Sequence, residues 1–208
     1  MAAPRLGKIS ESRVGREVVF GGGAALAMLH LHHRMSEDLD FFLNREIESA
    51  ELAPVASSLR TASLKTELEA VGPRTSVLLL RGSKPMGRVD FAFYPFDLIG
   101  RRTRWRGLTV ESLQDMTVNK LQAVLTRNQP RDFVDLYFLL REGPLRDLDQ
   151  LLDLVRAKFD VGPHRLGLAA RLLLACEIKE LPRMIRPVRL QDIVAFFEER
   201  ARALARSE

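Results

Sequence analysis

Hydrophobic and polar residues follow two different periods along this chain, and the change falls near its middle. Val18-Val19-Phe20 is a short apolar run of the β type that stops at Gly21-Gly22-Gly23, after which Ala24-Ala25-Leu26-Ala27-Met28-Leu29 favours helix. The pattern is strand, glycine turn, helix. In Ser36-Glu37-Asp38-Leu39-Asp40-Phe41-Phe42-Leu43 the period is two, so the segment reads as a strand with Ser36, Asp38 and Asp40 on one face and Leu39, Phe41 and Leu43 on the other. A helix over 48–59 follows, then two strands, 75–80 and 88–94, joined as a hairpin by Gly82-Ser83-Lys84-Pro85. Beyond Arg101 the β signal ends and the apolar spacing turns helical, over about 110–127, 131–141, 145–159, 163–179 and 190–206. The elements predict an α/β (α+β) fold: a mixed sheet with flanking helices, followed by an α-helical C-terminal part. They divide into domains 1–106 and 107–208, with the chemistry expected in the cleft where the halves face each other.

At 208 residues, 46% hydrophobic and 28% charged, the chain can bury a core, which excludes disorder as its main state. No apolar run approaches the roughly 18 residues of a membrane span, and the first residues lack the apolar stretch of a signal peptide. The single cysteine, Cys176, cannot form an internal disulfide; it suits a reducing cytoplasm and, in Leu-Leu-Leu-Ala-Cys176, is expected in the core. The net charge of +5 is unevenly spread: residues 1–100 hold 12 basic and 12 acidic side chains, and residues 101–208 hold 20 and 15. Of the 32 basic residues 26 are Arg, whose planar fork suits phosphate, although a solvated Arg-rich helical surface gives the same composition.

Asp38 and Asp40 form a D-x-D that projects two carboxylates from one sheet face. Like charges so close call for a neutralising cation, and Mg²⁺ takes such carboxylates together with substrate phosphates. Asp90, in the apolar run Val89-Asp90-Phe91-Ala92-Phe93, is a third carboxylate. If its strand lies beside the first, the three converge on a metal site for phosphoryl displacement; the alternative is an ion pair with Arg88 or another Arg. Gly22 and Gly23 before a helix offer backbone amides to an anion, while G-x-G-x-x-G and G-x-x-x-x-G-K-[ST] are both missing, which excludes the Rossmann and P-loop readings. His30, His32 and His33 lack metal-ligand spacing and read as polar residues at a helix end; Arg34 and Ser36 are better placed for phosphate. Lys120 and Arg127 share one helix face, and Asp132 and Asp135 sit three apart on the next, spacing that fits either phosphate binding or surface ion pairing. Arg101-Arg102-Thr103-Arg104-Trp105-Arg106 suits a nucleic-acid backbone with a stacked base, or a basic linker with Trp105 in the core. The lone Cys in an apolar run and the absence of G-x-S-x-G leave no hydrolase triad to argue.

Taken together, Phe20-Gly21-Gly22-Gly23-Ala24-Ala25-Leu26, His33-Arg34-Met35-Ser36-Glu37-Asp38-Leu39-Asp40-Phe41-Phe42, the Lys120 to Arg127 stretch and Arg131-Asp132-Phe133-Val134-Asp135-Leu136 resemble, in order and spacing, the signature of the AbiEii/AbiGii-type nucleotidyltransferase toxins. The resemblance spans about residues 18–141. It implies the minimal nucleotidyltransferase fold of the polymerase-β type, acting on a nucleoside triphosphate with Mg²⁺ (or Mn²⁺) as the effector of a toxin–antitoxin or abortive-infection system, with RNA, in particular tRNA, as acceptor and an antitoxin as partner. It further implies that Gly22 and Gly23 cradle the triphosphate, Asp38 and Asp40 bind metal, Lys120 holds phosphate, Asp90 is the third carboxylate near the attacking group, and Asp132 is the acidic position near the end of the site. Ala24 departs from the usual Thr or Ser, removing a hydroxyl. Two other classes remain: a catalytically weak nucleotide- or RNA-binding module acting through a protein partner, and a D-x-D glycosyltransferase. The short α/β half, with no second nucleotide-binding β-α-β region, argues against the last.

Overall fold

The computed structural model describes residues 2–206, which form two compact units. The first comprises the chain up to Met28 with Ser36–Phe96 and Arg101–Glu111; the second comprises Leu29–Met35, Asp97–Gly100 and the chain from Ser112 on.

The first unit holds α1 (Ala2–Ser10), β1 (Val19–Gly21), α2 (Gly22–Ala25), β2 (Leu39–Leu43), α3 (Ser49–Leu59), β3 (Lys65–Val71), β4 (Arg74–Arg81), β5 (Lys84–Phe93), β6 (Thr103–Trp105) and β7 (Leu108–Val110). α2 runs on as a π-helix, Leu26–Leu31. The sheet is mixed and seven-stranded, in the order β3-β4-β5-β2-β1-β7-β6, with β2/β5 and β1/β7 parallel and the other pairs antiparallel. The alternation of side chains separates its faces. Phe20, Phe41 and Phe91 are level with one another across β1, β2 and β5, fully buried, with successive ring centroids 5.3 Å apart. α3 covers this face: Thr66 and Thr75 donate their hydroxyls to the carbonyls of Ala56 and Ile47, and α1 packs on α3 through Leu6 and Ile9. The other face carries Asp40 and Asp90.

Three features depart from the expected elements. β3 is a strand because it pairs along its whole length with β4, although Lys65-Thr66-Glu67-Leu68-Glu69 is mostly polar and only Thr66 of it is buried. β6 and β7 extend the sheet past Arg101, so the β region does not end there. The next helix accordingly starts at Leu113, where the Ser112 side chain caps it by accepting from the Asp115 N–H at 3.0 Å.

The second unit is built from α4 (Leu113–Thr126), α5 (Pro130–Glu142), α6 (Leu148–Phe159), α7 (Arg165–Leu173) and α8 (Leu190–Arg206), with α4 against α5, α6 and α7, and α8 against α5 and α7. Phe133 and Phe197 meet edge to face at 5.5 Å in its core. After α7 comes a 3-10 turn, Leu174–Glu177; Leu172 at the end of α7 and Ala175 in the turn face inward, and Cys176 is exposed, which corrects the core placement expected from its apolar neighbours. Two outlying segments belong to this unit, one tied to the loop before α8 and the other to α4. Met35 N–H donates to the Arg183 carbonyl and Ile185 N–H to that of His33, each at 2.8 Å. The N–H groups of Ile99 and Gly100 donate to the buried Asp115 carboxylate at 3.0 and 2.9 Å, and Lys158 Nζ lies 2.6 Å from it. Burial works against that charge, but Lys158, Ser112 and the two amides hold Asp115 below the usual carboxylate range. Among the described residues no helix is long and apolar enough to cross a membrane.

Candidate active site

The acidic residues of the first unit are organised by strand register. Because β5 lies directly beside β2, Asp90 is level with Asp40; Asp40 is level with Gly21 on β1, and Asp90 with Ser76 on β4. Register partners share a sheet face, so Ser76, Asp90, Asp40 and Gly21 form one row across four strands about 4.8 Å apart. Asp38 precedes β2, and its Oδ1 accepts from the Arg88 backbone N–H at 3.2 Å.

Within this row Asp90 takes the ion-paired alternative. It is 4% exposed, accepts from Ser76 Oγ at 2.6 Å through Oδ1, and has Arg88 Nε 2.9 Å and Arg74 NH1 3.9 Å from Oδ2. Arg88 Nε is also 3.9 Å from Asp38 Oδ2. The guanidinium therefore stands among the carboxylates where convergence on a cation was expected. Among the described residues no three His, Cys, Asp or Glu side chains are grouped so as to hold a metal ion. Asp38 and Asp40, both half-buried, provide two carboxylates, a donor set that fits an ion sharing its coordination with substrate phosphates and water, and not an all-protein cage.

Gly22 explains how the D-x-D meets the glycine turn. Its φ is +64°, and a Cβ there would lie 2.3 Å from Asp40 Oδ2, so the Asp40 carboxylate packs directly on the start of α2. Gly22 and Gly23 are half-buried, whereas Ala24 has no exposed surface. Sequence reasoning missed Glu111. It is 3% exposed at the end of β7, its N–H donates to the Phe20 carbonyl at 3.0 Å, and its Oε2 would be 2.6 Å from a Cβ on Gly21. It was hidden because residues from 110 on read as helix.

The second unit assembles the other candidates into a buried charge cluster. Asp135, fully buried on α5, faces Lys120 Nζ at 2.7 Å, His33 Nε2 at 2.7 Å, and Arg34 Nε and NH2 at 2.6 and 2.8 Å. Asp132, also fully buried, accepts from Lys120 Nζ at 2.8 Å and from Arg127 Nε and NH2 at 2.7 and 3.1 Å. Burial opposes every charge here. Lys120 and the His33 and Arg34 hydrogen bonds nonetheless hold Asp135 far below the usual carboxylate range, Lys120 and Arg127 lower Asp132, and the two carboxylates raise the Lys120 ammonium. His33 is thus a buried partner of Asp135 and not a helix-end polar residue. Arg34, expected at substrate phosphates, is 4% exposed and spends two donors on Asp135 and a third on the Met35 carbonyl. Asp132 has no surface of its own to offer a nucleotide. Arg127 is the open member, its side chain 50% exposed. Ser36 is half-buried two residues ahead of Asp38.

The family described as Nucleotidyl transferase AbiEii toxin, Type IV TA system, matches residues 6–208. No curated protein matches the chain. Among solved structures, MenT4, a nucleotidyltransferase toxin of Mycobacterium tuberculosis H37Rv, is similar with a TM-score of 0.60 at 16% identity, over 100% of this chain and 82% of that one. JHP933 from Helicobacter pylori is similar with a TM-score of 0.57 at 16% identity, over 98% and 88%. At this identity the likeness is one of fold, and it agrees with the mixed sheet followed by helices.

Proposed function

The chain belongs to the AbiEii nucleotidyltransferase toxin family, and from that premise we propose that it transfers a nucleoside monophosphate from a nucleoside triphosphate to a hydroxyl of RNA, tRNA in particular, in the cytoplasm, under the control of an antitoxin protein. The observation that carries the reading is the row of Gly21, Asp40 and Asp90 with Asp38 beside it, which sets carboxylates against a glycine turn that opens a helix.

In this reading the acceptor oxygen bonds to the α-phosphorus, the α–β phosphoanhydride breaks, and pyrophosphate leaves. Asp38 and Asp40 would hold Mg²⁺ or Mn²⁺ together with the triphosphate; a bound ion supplies charge neutralisation at the transferring and leaving oxygens. The amides of Gly22 and Gly23, with the Ser36 hydroxyl, bind phosphate oxygens. Asp90 adds the third carboxylate, toward the ion or the attacking hydroxyl, once Arg88 is drawn off it. Lys120 has three N–H donors, of which Asp132 and Asp135 engage two, leaving the third for a phosphate oxygen. Asp132, Asp135, His33 and Arg34 then act as positioning residues that fix the ammonium.

Label transfer from α-labelled nucleoside triphosphates to tRNA or total RNA tests this. Transfer should be present in the wild type and lost in Asp38→Ala and Asp40→Ala. One observation, the Arg88–Asp90 pair, favours a second reading, a nucleotide- or RNA-binding module with weak catalysis that acts through a protein partner. Nucleotide bound at equilibrium with no transfer, and toxicity unchanged in Asp38→Ala, would select it.

A further inference from the structure

The outer edge of the sheet beyond β7 carries the most uncompensated charge in the first unit. Residues 101–106 hold four arginines and no acid, and Arg101, Arg102, Arg104 and Arg106 are all exposed. Among the described residues none of the four is ion-paired with a carboxylate; Arg104 donates to Thr109 Oγ1 at 3.2 Å. Other arginines of the unit are paired with acids, as Arg45 is with Glu17 and Glu51 and Arg88 with Asp90. The opposite edge of the same sheet, β3, exposes Glu67 and Glu69.

Register relates this edge to the acidic row. Arg104 is level with Thr109, Thr109 with Val19, and Val19 with Phe42, so Arg104 lies on the sheet face that carries Asp40, three strand spacings or roughly 14 Å away. Thr103 is level with Val110 and Val110 with Phe20, the residue before the glycine turn. Arg102 therefore sits at the glycine-turn end of the edge, and the cations run from there to Arg106 at the far end. At that far end the Arg106 guanidinium lies 5.0 Å from the centroid of the half-buried Trp105 ring.

We propose that this edge docks the phosphate backbone of single-stranded RNA and leads its end toward the carboxylates; the proposal rests on the RNA-acceptor reading above. The charge is of the sign a phosphate chain requires, and the Trp105–Arg106 pair offers a stacking surface. A protein partner would need an apolar centre to its interface, and none of the exposed large hydrophobic residues among those described falls in 101–110.

The test is fluorescence anisotropy of a labelled single-stranded RNA on the full chain, across a salt series, beside label transfer. The variants are Arg101→Gln/Arg102→Gln/Arg104→Gln/Arg106→Gln combined, Lys84→Gln at the start of β5 as a control for lost charge, and Asp40→Asn. The combined variant should bind RNA at least about tenfold more weakly, with a salt slope shallower by roughly 0.7 for each phosphate that is no longer neutralised. Its KM for RNA should rise while its KM for nucleotide holds; Lys84→Gln and Asp40→Asn should bind RNA as the wild type does. Normal RNA binding and transfer in a folded combined variant overturns the docking edge and leaves the nucleotidyltransferase reading standing. Aggregation of that variant with RNA affinity intact assigns the arginines to edge protection instead and equally overturns it. Competition by poly-glutamate as strong as by RNA at equal charge overturns the nucleic-acid assignment in favour of an acidic protein. Arginine-dependent RNA binding in a wild type that transfers no label to RNA sustains the docking edge and removes the acceptor reading.

Discussion

Arg88 Nε stands 2.9 Å from Asp90 Oδ2, on the same strand two residues earlier and on the same face. Burying a charged side chain to 4% exposure is costly without such a partner, and Ser76 Oγ donates to the other Asp90 oxygen at 2.6 Å. The same guanidinium reaches to 3.9 Å from Asp38 Oδ2, so one side chain tempers the repulsion that two of the three acids would otherwise exert.

A divalent ion must compete with that guanidinium. Arg88→Ala should raise the affinity for Mn²⁺ without nucleotide, read by electron paramagnetic resonance, at least about fivefold, the scale of one unit charge about 4 Å away even when fully screened by water. Unchanged or weaker Mn²⁺ binding would show that Arg88 does not compete for the ion.

The two charge clusters separate stability from chemistry. Lys120→Met strips the shared cation from two fully buried carboxylates and should cost about 3–5 kcal/mol in urea denaturation, the range for breaking a buried ion pair. Asp38→Asn, at a half-buried position, should lie within about 1 kcal/mol of the wild type while abolishing transfer. Equal stability of the two variants would contradict the distinction.

How far these roles could be read in advance depended on how local their causes are. The D-x-D, the glycine turn and the Lys120 to Asp135 spacing are legible because strand and helix periods fix them within a few residues. His33 and Arg34 were misplaced because backbone hydrogen bonds to residues 183 and 185, some 150 positions away, hold their segment in the helical unit. The place of Glu111 beside Gly21, and the choice for Asp90 between a cation and the Arg88 pair, depend on strand register, and β6 and β7, three residues each, are too short to show an alternation. The ion-paired interior of α5 could be read as solvated from its Asp132 and Asp135 alone.

Acid and alkali should act on the Lys120 cluster in opposite senses. Asp135 and Asp132 have folded pKa values below their unfolded ones, so their contribution is present above about pH 4 and is lost as pH falls through the folded values. Lys120 has a raised folded pKa, so its contribution is fully present below about pH 10 and is lost as pH rises through the folded value. Thermal melting against pH should fall off on both sides of a plateau. Asp135→Asn should flatten the acid side, and an acid limb identical to that of the wild type would place the titration elsewhere.

Two glycines with nearly the same backbone angle separate the conformational demand of the glycine turn from its chemical one. Gly22 has φ +64° and Gly82 φ +63°, so an alanine at either position meets the left-handed penalty of roughly 1–2 kcal/mol. They differ in what the new methyl meets. At Gly82 there is nothing within 4 Å; at Gly22 it would fall 2.3 Å from Asp40 Oδ2 and 2.7 Å from Asp40 Cγ. Asp40 must then turn away from the start of α2 or the turn must open, and either change moves a carboxylate relative to the phosphate-binding amides. Gly82→Ala should therefore lose stability alone and keep nucleotide affinity, measured by equilibrium dialysis, at the wild-type value. Gly22→Ala should lose a similar amount of stability and at least about tenfold in nucleotide affinity, since a displacement near 1 Å at a catalytic group is enough for losses of that size. Matching nucleotide affinities in the two variants would mean that the Asp40 carboxylate and the glycine turn do not bind the triphosphate together.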